Sequence, residues 1–374
     1  MHLHHKILTA TALAAVAGLA LTGCSASGAG SSSSAADAKT ATSIDAFGGM
    51  DGLVKAANQE GKLNVIALPH DWANYGEIIS AFKKKYPKIT VTEASPDASS
   101  AEEIQAAKTN QGLDTAPDVF DLGLTVALQN VDQFAPYEVQ TWKDIPSSLK
   151  DSQGRFTGDY GGYMSIGYDS AKYSAPKSLQ DLLGSAYKSA VSLNGDPTQA
   201  GAAFAAVGLA TVQNGGTLDD FQPGIDFFQK LNTAGNLKNV DVTTATVASG
   251  ETPVVFDWDY LNAAHVKDKP TWKTVIPEGT GYAAYYNQAI NKDAPNPAAA
   301  RLWLEFLYSD QAQNLWLQGG ARPVRSEAME KAGTIDKDAL AKLPAAPKKY
   351  VIPTEKQSDD AGKLLGAKWA AAVQ

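Results

Sequence analysis

Aromatic and carboxylate side chains gather directly behind apolar runs in this sequence. His70, Asp71, Trp72, Asn74 and Tyr75 follow the run Leu63–Leu68, Asp121 ends a second run, and Asp257, Trp258, Asp259 and Tyr260 end a third. Tyr282, Tyr285, Tyr286 and Asn287 form a fourth group. A ring face beside a carboxylate attracts a cation through both the ring quadrupole and the charge, so the first chemistry these groups suggest is capture of an organic cation or polar amine. Ring faces with Asp and Asn acceptors also suit a carbohydrate. Several phenolates and carboxylates together could hold ferric ion. Anionic ligands fit less well, because only four arginines occur, at 155, 301, 322 and 325. Lys and Arg total 32 against 40 Asp and Glu, a net charge of -8, and no basic excess is available to hold a nucleic-acid backbone.

Each group also has a plainer reading. Trp72 could pack over a domain edge, and Asp121 could sit beside a helix cap. Period-two alternation sends Asp257 and Asp259 to one side of a strand and Trp258 and Tyr260 to the other, so one pair should face core or solvent. Asp196, ahead of Pro197, reads as a helix N-cap with proline at the first helical position.

Catalysis finds little support. Gly162–Gly167 resembles a nucleophile elbow, yet its glycine lies one residue too far from Ser165. His70 and His265 are the only histidines beyond the N-terminal His2, His4 and His5, and Cys24 is the only cysteine, which speaks against a His/Cys zinc site. No phosphate loop or dinucleotide fingerprint appears, and no cofactor is expected. The sequence reads as a binding protein and not an enzyme. The alternatives from other classes are an extracellular hydrolase, with Asp257 and Asp259 as paired carboxylates, and a structural lipoprotein.

The elements that must position these groups alternate. Leu63–Leu68, Lys88–Glu93 and Asp118–Asp121 read as strands, separated by helices Tyr75–Lys85 and Ala101–Thr109, the pattern of an α/β layer with a parallel sheet. Ligands of such layers bind beyond the carboxyl ends of the strands. A second unit follows: strand Val191–Leu193, helices Thr198–Asn214 and Leu218–Thr233, then strands Pro253–Asp257 and Thr274–Pro277, with helices Ala298–Tyr308 and Gln311–Gln318 closing the core. A length of 374 residues suits two domains. Glycine and tyrosine cluster near Gly154–Tyr163 and Pro277–Gly281, where the chain is expected to cross twice between separate sheets, around Gly161–Tyr168 and Gly281–Ile290.

In this order and spacing, Thr115–Val119, Gly161–Tyr168, Val191–Gln199, Gly250–Tyr260 and Asn296–Arg325 resemble the type II extracellular solute-binding proteins of ABC importers, in the branch with polyamine-, ferric-ion- and thiamine-binding members. The resemblance implies an α/β fold of two domains joined by crossing strands, closing on one small solute for delivery to a permease and its ATPase. Domain 1 would span 44–160 and return over 285–340, domain 2 would span 161–284, and 341–374 would pack on the body. Asp196 matches an acidic position that contacts the amine in polyamine-binding relatives, and Gln199 stands where those relatives often carry Glu. The sequence departs from the polyamine pattern at Tyr286, where an aspartate is usual. It departs from the ferric-ion pattern near Trp258–Tyr260, where a tyrosine pair is usual; Tyr285 and Tyr286 lie on the next segment. The solute contacts are therefore expected among Asp71, Trp72, Tyr75, Asp121, Asp196, Gln199, Asp257, Trp258, Asp259, Tyr260, Tyr285 and Tyr286.

The N-terminus reads as an export signal over 1–23: a short basic start, then an apolar stretch too short to span a bilayer. Leu21-Thr22-Gly23-Cys24 resembles the bacterial lipobox, which implies lipid anchoring through Cys24 at the outer face of the cytoplasmic membrane after Sec export. Residues 24–43 are mostly small and polar and are expected to tether a monomeric body flexibly to the membrane. Acylation needs the thiol, so Cys24→Ser should release the protein into the medium or leave it as unprocessed precursor. Fractionation and intact mass check this; a mutant that stays membrane-bound and processed would refute the anchor.

Overall fold

Two long strands run through the middle of the structure, and most of the sheet hangs from them. The computed structural model describes residues 35–344 and 346–373; the export signal, Cys24 and the start of the tether lie outside the described residues. In chain order the strands are β1 (Lys62–Ile66), β2 (Thr90–Ala94), β3 (Val119–Gly123), β4 (Phe134–Ala135), β5 (Phe156–Asp169), β6 (Val191–Leu193), β7 (Val254–Trp258), β8 (Trp272–Val275), β9 (Thr280–Asn291), β10 (Arg322–Pro323) and β11 (Lys349–Val351). The two expected crossings are β5 and β9. They pair antiparallel, with a register shift between Gly158 and Gly161.

Toward one end of this ribbon β9 also pairs with β3 and β4, and β5 pairs with β10. Toward the other, β5 pairs with β7 and β8, β6 joins β7 in parallel, and β11 joins the start of β9. The ladder is therefore continuous through β5 and β9, which corrects the expectation of two separate sheets. Each half keeps its own partners, and only the ribbon is common to both.

The parallel pair β1–β2 stands apart from this path, although β3 lies beside β1. The cause is Asp118. Its N–H donates to the Asn64 carbonyl at 2.9 Å, but the Asn64 N–H donates to the Asp118 carboxylate at 2.7 Å instead of to a backbone carbonyl. The same carboxylate accepts from Asn296 N and Nδ2. A side chain thus replaces a rung and ties β1 to the start of helix Pro297–Leu307.

Apolar spacing located the helices well. Tyr75–Lys85 forms where expected and buries Tyr75, Ile78, Ile79 and Phe82 at helical spacing. Two helices start later than read, at Gly201 and Gln222. Asp196 does not cap the first of them: its carboxylate accepts from Thr198 N, and its carbonyl accepts from the amides of Gln199 and Ala200, which makes a separate turn before the helix. The tether is also shorter than 24–43. Ala35–Thr40 is helical, and buried Arg301 donates to the carbonyls of Lys39 and Ala41, pinning this stretch to the body. At the other end, helix Glu355–Val373 packs on helix Gln222–Thr233 and on helix Leu124–Gln129.

Removing the Asp118 carboxylate leaves the buried amides of Asn64 and Asn296 without acceptors. Asp118→Ala should destabilise the fold by about 2–4 kcal/mol, on the order of 1–3 kcal/mol per orphaned group. Urea denaturation checks this, and a change within error would mean the bridge is dispensable.

Candidate functional site

The groups singled out from the sequence converge where the two halves meet. The loop after β1 supplies Trp72, the start of the following helix supplies Tyr75, the end of β3 supplies Asp121, and the end of β7 supplies Asp257 and Trp258. Tyr286 comes from β9 and stands among them. Trp72 and Trp258 both meet the Tyr286 ring edge-on, at 5.7 and 6.3 Å between centroids. Tyr160 of β5 stacks on Tyr286 at 5.6 Å and 11° and contacts Tyr75, Tyr260 and Trp316.

A relay of polar groups runs behind the rings. Trp72 Nε1 donates to Tyr160 Oη at 2.8 Å, and Tyr160 Oη donates to Asp121 Oδ2 at 2.8 Å. Gln288 Nε2 donates to both Asp121 Oδ1 (3.2 Å) and Asp159 Oδ2 (2.9 Å), so one amide holds two buried carboxyls together. Beneath them Glu103 accepts the Asp121 N–H. Across the cleft, Asp257 accepts from Asn194 Nδ2 and from the Trp258 N–H.

Burial is the dominant influence on these acids. It pushes Asp121 and Asp257 up to about 7 against their hydrogen bonds, and it raises Asp159 and Glu103 well above the usual carboxylate range, with the Asp121 charge adding to both. Among the described residues no ion pair reaches Asp121, Asp159 or Asp257; the nearby cation Arg322 is committed to Asp259 at 2.8 Å.

Beside Tyr286 and Trp258 lies a cavity of about 30 Å³, lined by Gly123, Thr125, Gln199, Gly201, Tyr282 and Ser358 among others. It has room for little more than water. The walls meet backbone to backbone: a Cβ on Gly123 would lie 2.9 Å from the Gly201 Cα. At the rim, Thr244 Oγ1 donates to Asp71 Oδ2 at 2.6 Å across the two halves. The halves are shut on each other. A wider cavity of about 410 Å³ lies behind Tyr260, lined by Leu317, Gly320, Asp336 and Lys342, and of the expected contacts only Tyr260 reaches it.

A family profile described as bacterial extracellular solute-binding protein matches residues 117–346, more than half of the chain. The chain belongs to that family. No curated protein sequence matches it significantly. Among solved structures it is similar to the periplasmic binding protein AfuA of Actinobacillus pleuropneumoniae with fructose-6-phosphate bound, at 18% identity over 84% of this chain and 98% of that one, with a TM-score of 0.66. It is also similar to a ferric binding protein of Campylobacter jejuni, at 17% over 83% and 99% with TM-score 0.60. A third similar structure is a putative spermidine/putrescine ABC transporter protein of Listeria monocytogenes, at 13% over 83% and 99% with TM-score 0.62. The fold is thus the two-domain α/β fold of the periplasmic binding proteins, with its cleft between domains joined by β5 and β9.

Within this solute-binding protein several expected contacts have other work. Asp259 is spent on Arg322 Nη1 and the Tyr163 N–H. Tyr285 points away from Tyr286, as alternation requires, and covers Gly161 beside Tyr163 and Arg322. Asp196 is exposed and serves its turn, whereas Gln199 lines the small cavity. Asp71 sits at the exposed rim and bonds Thr244. The expected split between Asp257/Asp259 and Trp258/Tyr260 fails, because a helix begins at Asp259 and all four are buried. Ser165 Oγ donates to the Asp257 carbonyl and accepts from Asn262, and neither His70 nor His265 is its partner. Tyr160, Asp159, Gln288 and Asn194 were missed. A lone Gln or Asp inside a long apolar-flanked strand was the available signal.

The raised acids give a pH dependence of stability. Unfolded carboxyls lose their protons near pH 4, whereas folded Asp118, Asp121 and Asp257 keep theirs to about 7. Between these values the folded state holds more protons, so raising the pH favours unfolding. The urea midpoint should fall from about pH 5 to about pH 8, and Asp121→Asn/Asp257→Asn should flatten the fall. A profile that rises over this window would mean these acids ionise readily in the fold.

Proposed function

We propose that this solute-binding protein captures an organic cation outside the cell and delivers it to the permease of an ABC importer, working as a monomer on an N-terminal lipid anchor. In this reading 44–160 with 285–340 forms one lobe and 161–284 the other, and no chemistry is done on the solute. The observation that carries the choice of solute is the set of buried carboxyls without a cationic partner. Asp121 and Asp257 approach Tyr286 from opposite lobes, and after burial, which raises its phenol's pKa most, both charges add to the rise, so a cation among Trp72, Tyr286 and Trp258 would meet two acids and three rings. Bringing that charge in removes the penalty that keeps the acids protonated. The structure similar to spermidine/putrescine transporters agrees with this chemistry.

A carbohydrate is the second reading, favoured by one observation: the cavity lining itself carries no charged side chain. The similar AfuA structure holds a sugar, fructose-6-phosphate, whose phosphate would find no cationic partner in this lining. Ferric ion has less support, since the Tyr285 ring lies against Gly161 near Tyr163 and Arg322 whereas the Tyr286 ring packs among Trp72, Tyr160 and Trp258.

A thermal-shift panel of spermidine, choline, glucose and ferric citrate separates these readings. A compound at about 100 times its Kd stabilises the fold by about 2.7 kcal/mol. Spermidine or choline should raise the midpoint, and calorimetry should show tighter binding as the pH rises through about 7, where Asp121 and Asp257 ionise. Trp72→Ala and Asp257→Asn should each weaken binding more than tenfold, about 1.4 kcal/mol or more. Stabilisation by glucose alone would transfer the assignment to the carbohydrate reading.

A further inference from the structure

The cavity has a wall that neither lobe supplies. Pro353 and Ser358, from the C-terminal segment, line it beside Thr125, Tyr286 and Trp258. Ser358 is fully buried. Its N–H donates to the Thr354 carbonyl as helix geometry requires, but its hydroxyl has no partner. A helical serine can turn its Oγ back onto the carbonyl four residues earlier, and a buried hydroxyl left unmade costs on the order of 1–3 kcal/mol. Thr125 Oγ1, in the same lining, is likewise unpartnered.

The helix carrying Ser358 is fastened to one lobe by two polar bonds and a ring contact. Gln357 Nε2 donates to Asp219, Lys368 Nζ donates to Gln222 Oε1, and Trp369 packs edge-on against Phe228 at 5.6 Å. All three partners belong to the segment 161–284. Against helix Leu124–Gln129 the fit is steric: a Cβ on Gly362 would come within 2.4 Å of Thr125 Cγ2 and 3.0 Å of Gln129 Nε2. Only glycine lets the two helices close to this distance.

From this we infer that the C-terminal helix is the third wall of the solute chamber, and that Ser358 Oγ contacts the solute. The inference rests on the solute-binding reading above. The helix rides with the lobe of Asp219 and Gln222, meets Thr125 on closure, and presents one hydroxyl to a polar group of the solute beside the rings of Trp258 and Tyr286. A cation with a hydrogen-bonding group at its other end is the class of solute this arrangement selects.

Cysteine accessibility tests the wall without knowing the solute. In the full chain, Ser358→Cys is treated with a cationic and an anionic methanethiosulfonate, and labelling is measured above the Cys24 background. Ser192→Cys is the control, because Ser192 is equally buried and equally unpartnered but lies in β6 away from the cavity. Ser358→Cys should label at least tenfold faster than Ser192→Cys, faster with the cationic reagent, and more slowly with spermidine present. Pro353→Cys, at a second lining position, repeats the comparison if Ser358→Cys does not fold. Labelling of both lining positions at the Ser192→Cys rate would overturn the wall. Fast labelling that favours the anionic reagent would uphold the wall and count against the cation reading instead.

Discussion

The antiparallel pairing of β5 with β9 is the constraint on which the rest depends. Every strand of the main sheet reaches the others through that ribbon, and the ribbon places Tyr160 and Tyr286 at the centre of the cleft. Its side chains alternate, so Tyr286 turns to the cleft while Tyr285 covers Gly161. At Gly161 a Cβ would lie 2.2 Å from the Ala284 carbonyl oxygen, which explains the glycine in the crossing. The register shift between Gly158 and Gly161 adds local twist just before Tyr163.

Electrostatics then sets what the cleft tolerates. Acids buried with hydrogen bonds but without a cation are costly when ionised. Asp118 and Asp121 show two uses of this situation. The first is fully bonded to backbone and Asn296 and acts as a structural rung. The second shares an amide with Asp159 and touches the relay from Trp72, so its proton is coupled to the state of the cleft. Arg322, one of only four arginines, neutralises Asp259 and leaves Asp257 without a counter-charge.

Much of this was legible in the sequence because it follows from local pattern. Helical spacing in Tyr75–Lys85 and branched apolar runs before Trp72, Asp121 and Asp257 located the strand ends, and the fold places cleft residues at such ends. What escaped was long-range. Asp196-Pro197 carries every mark of a helix start, yet the helix begins at Gly201 because the turn satisfies Asp196 by itself. Tyr160 and Gln288 lie inside long crossing strands, with hydrogen-bond partners 39 and 88 residues away for Tyr160 and 129 and 213 away for Gln288, so no spacing rule points to them. Residues 35–43 read as linker from composition alone, yet Arg301 bonds to the Lys39 and Ala41 carbonyls and the Glu138 N–H bonds to the Thr42 carbonyl, holding them on the body.

The shut cleft has a consequence for economy of transport. An importer that responded to any closed binding protein would hydrolyse ATP for an empty carrier. Here the empty closed form must bury Asp121 and Asp257 without counter-charge, and above about pH 7 that burden falls on closure itself. On the cation reading proposed above, a cation would lift it, so that above this pH cargo and closure would be favoured together. The two unpaired acids would then serve as a proofreading device: they let the carrier report its load honestly to the machine that spends energy on it.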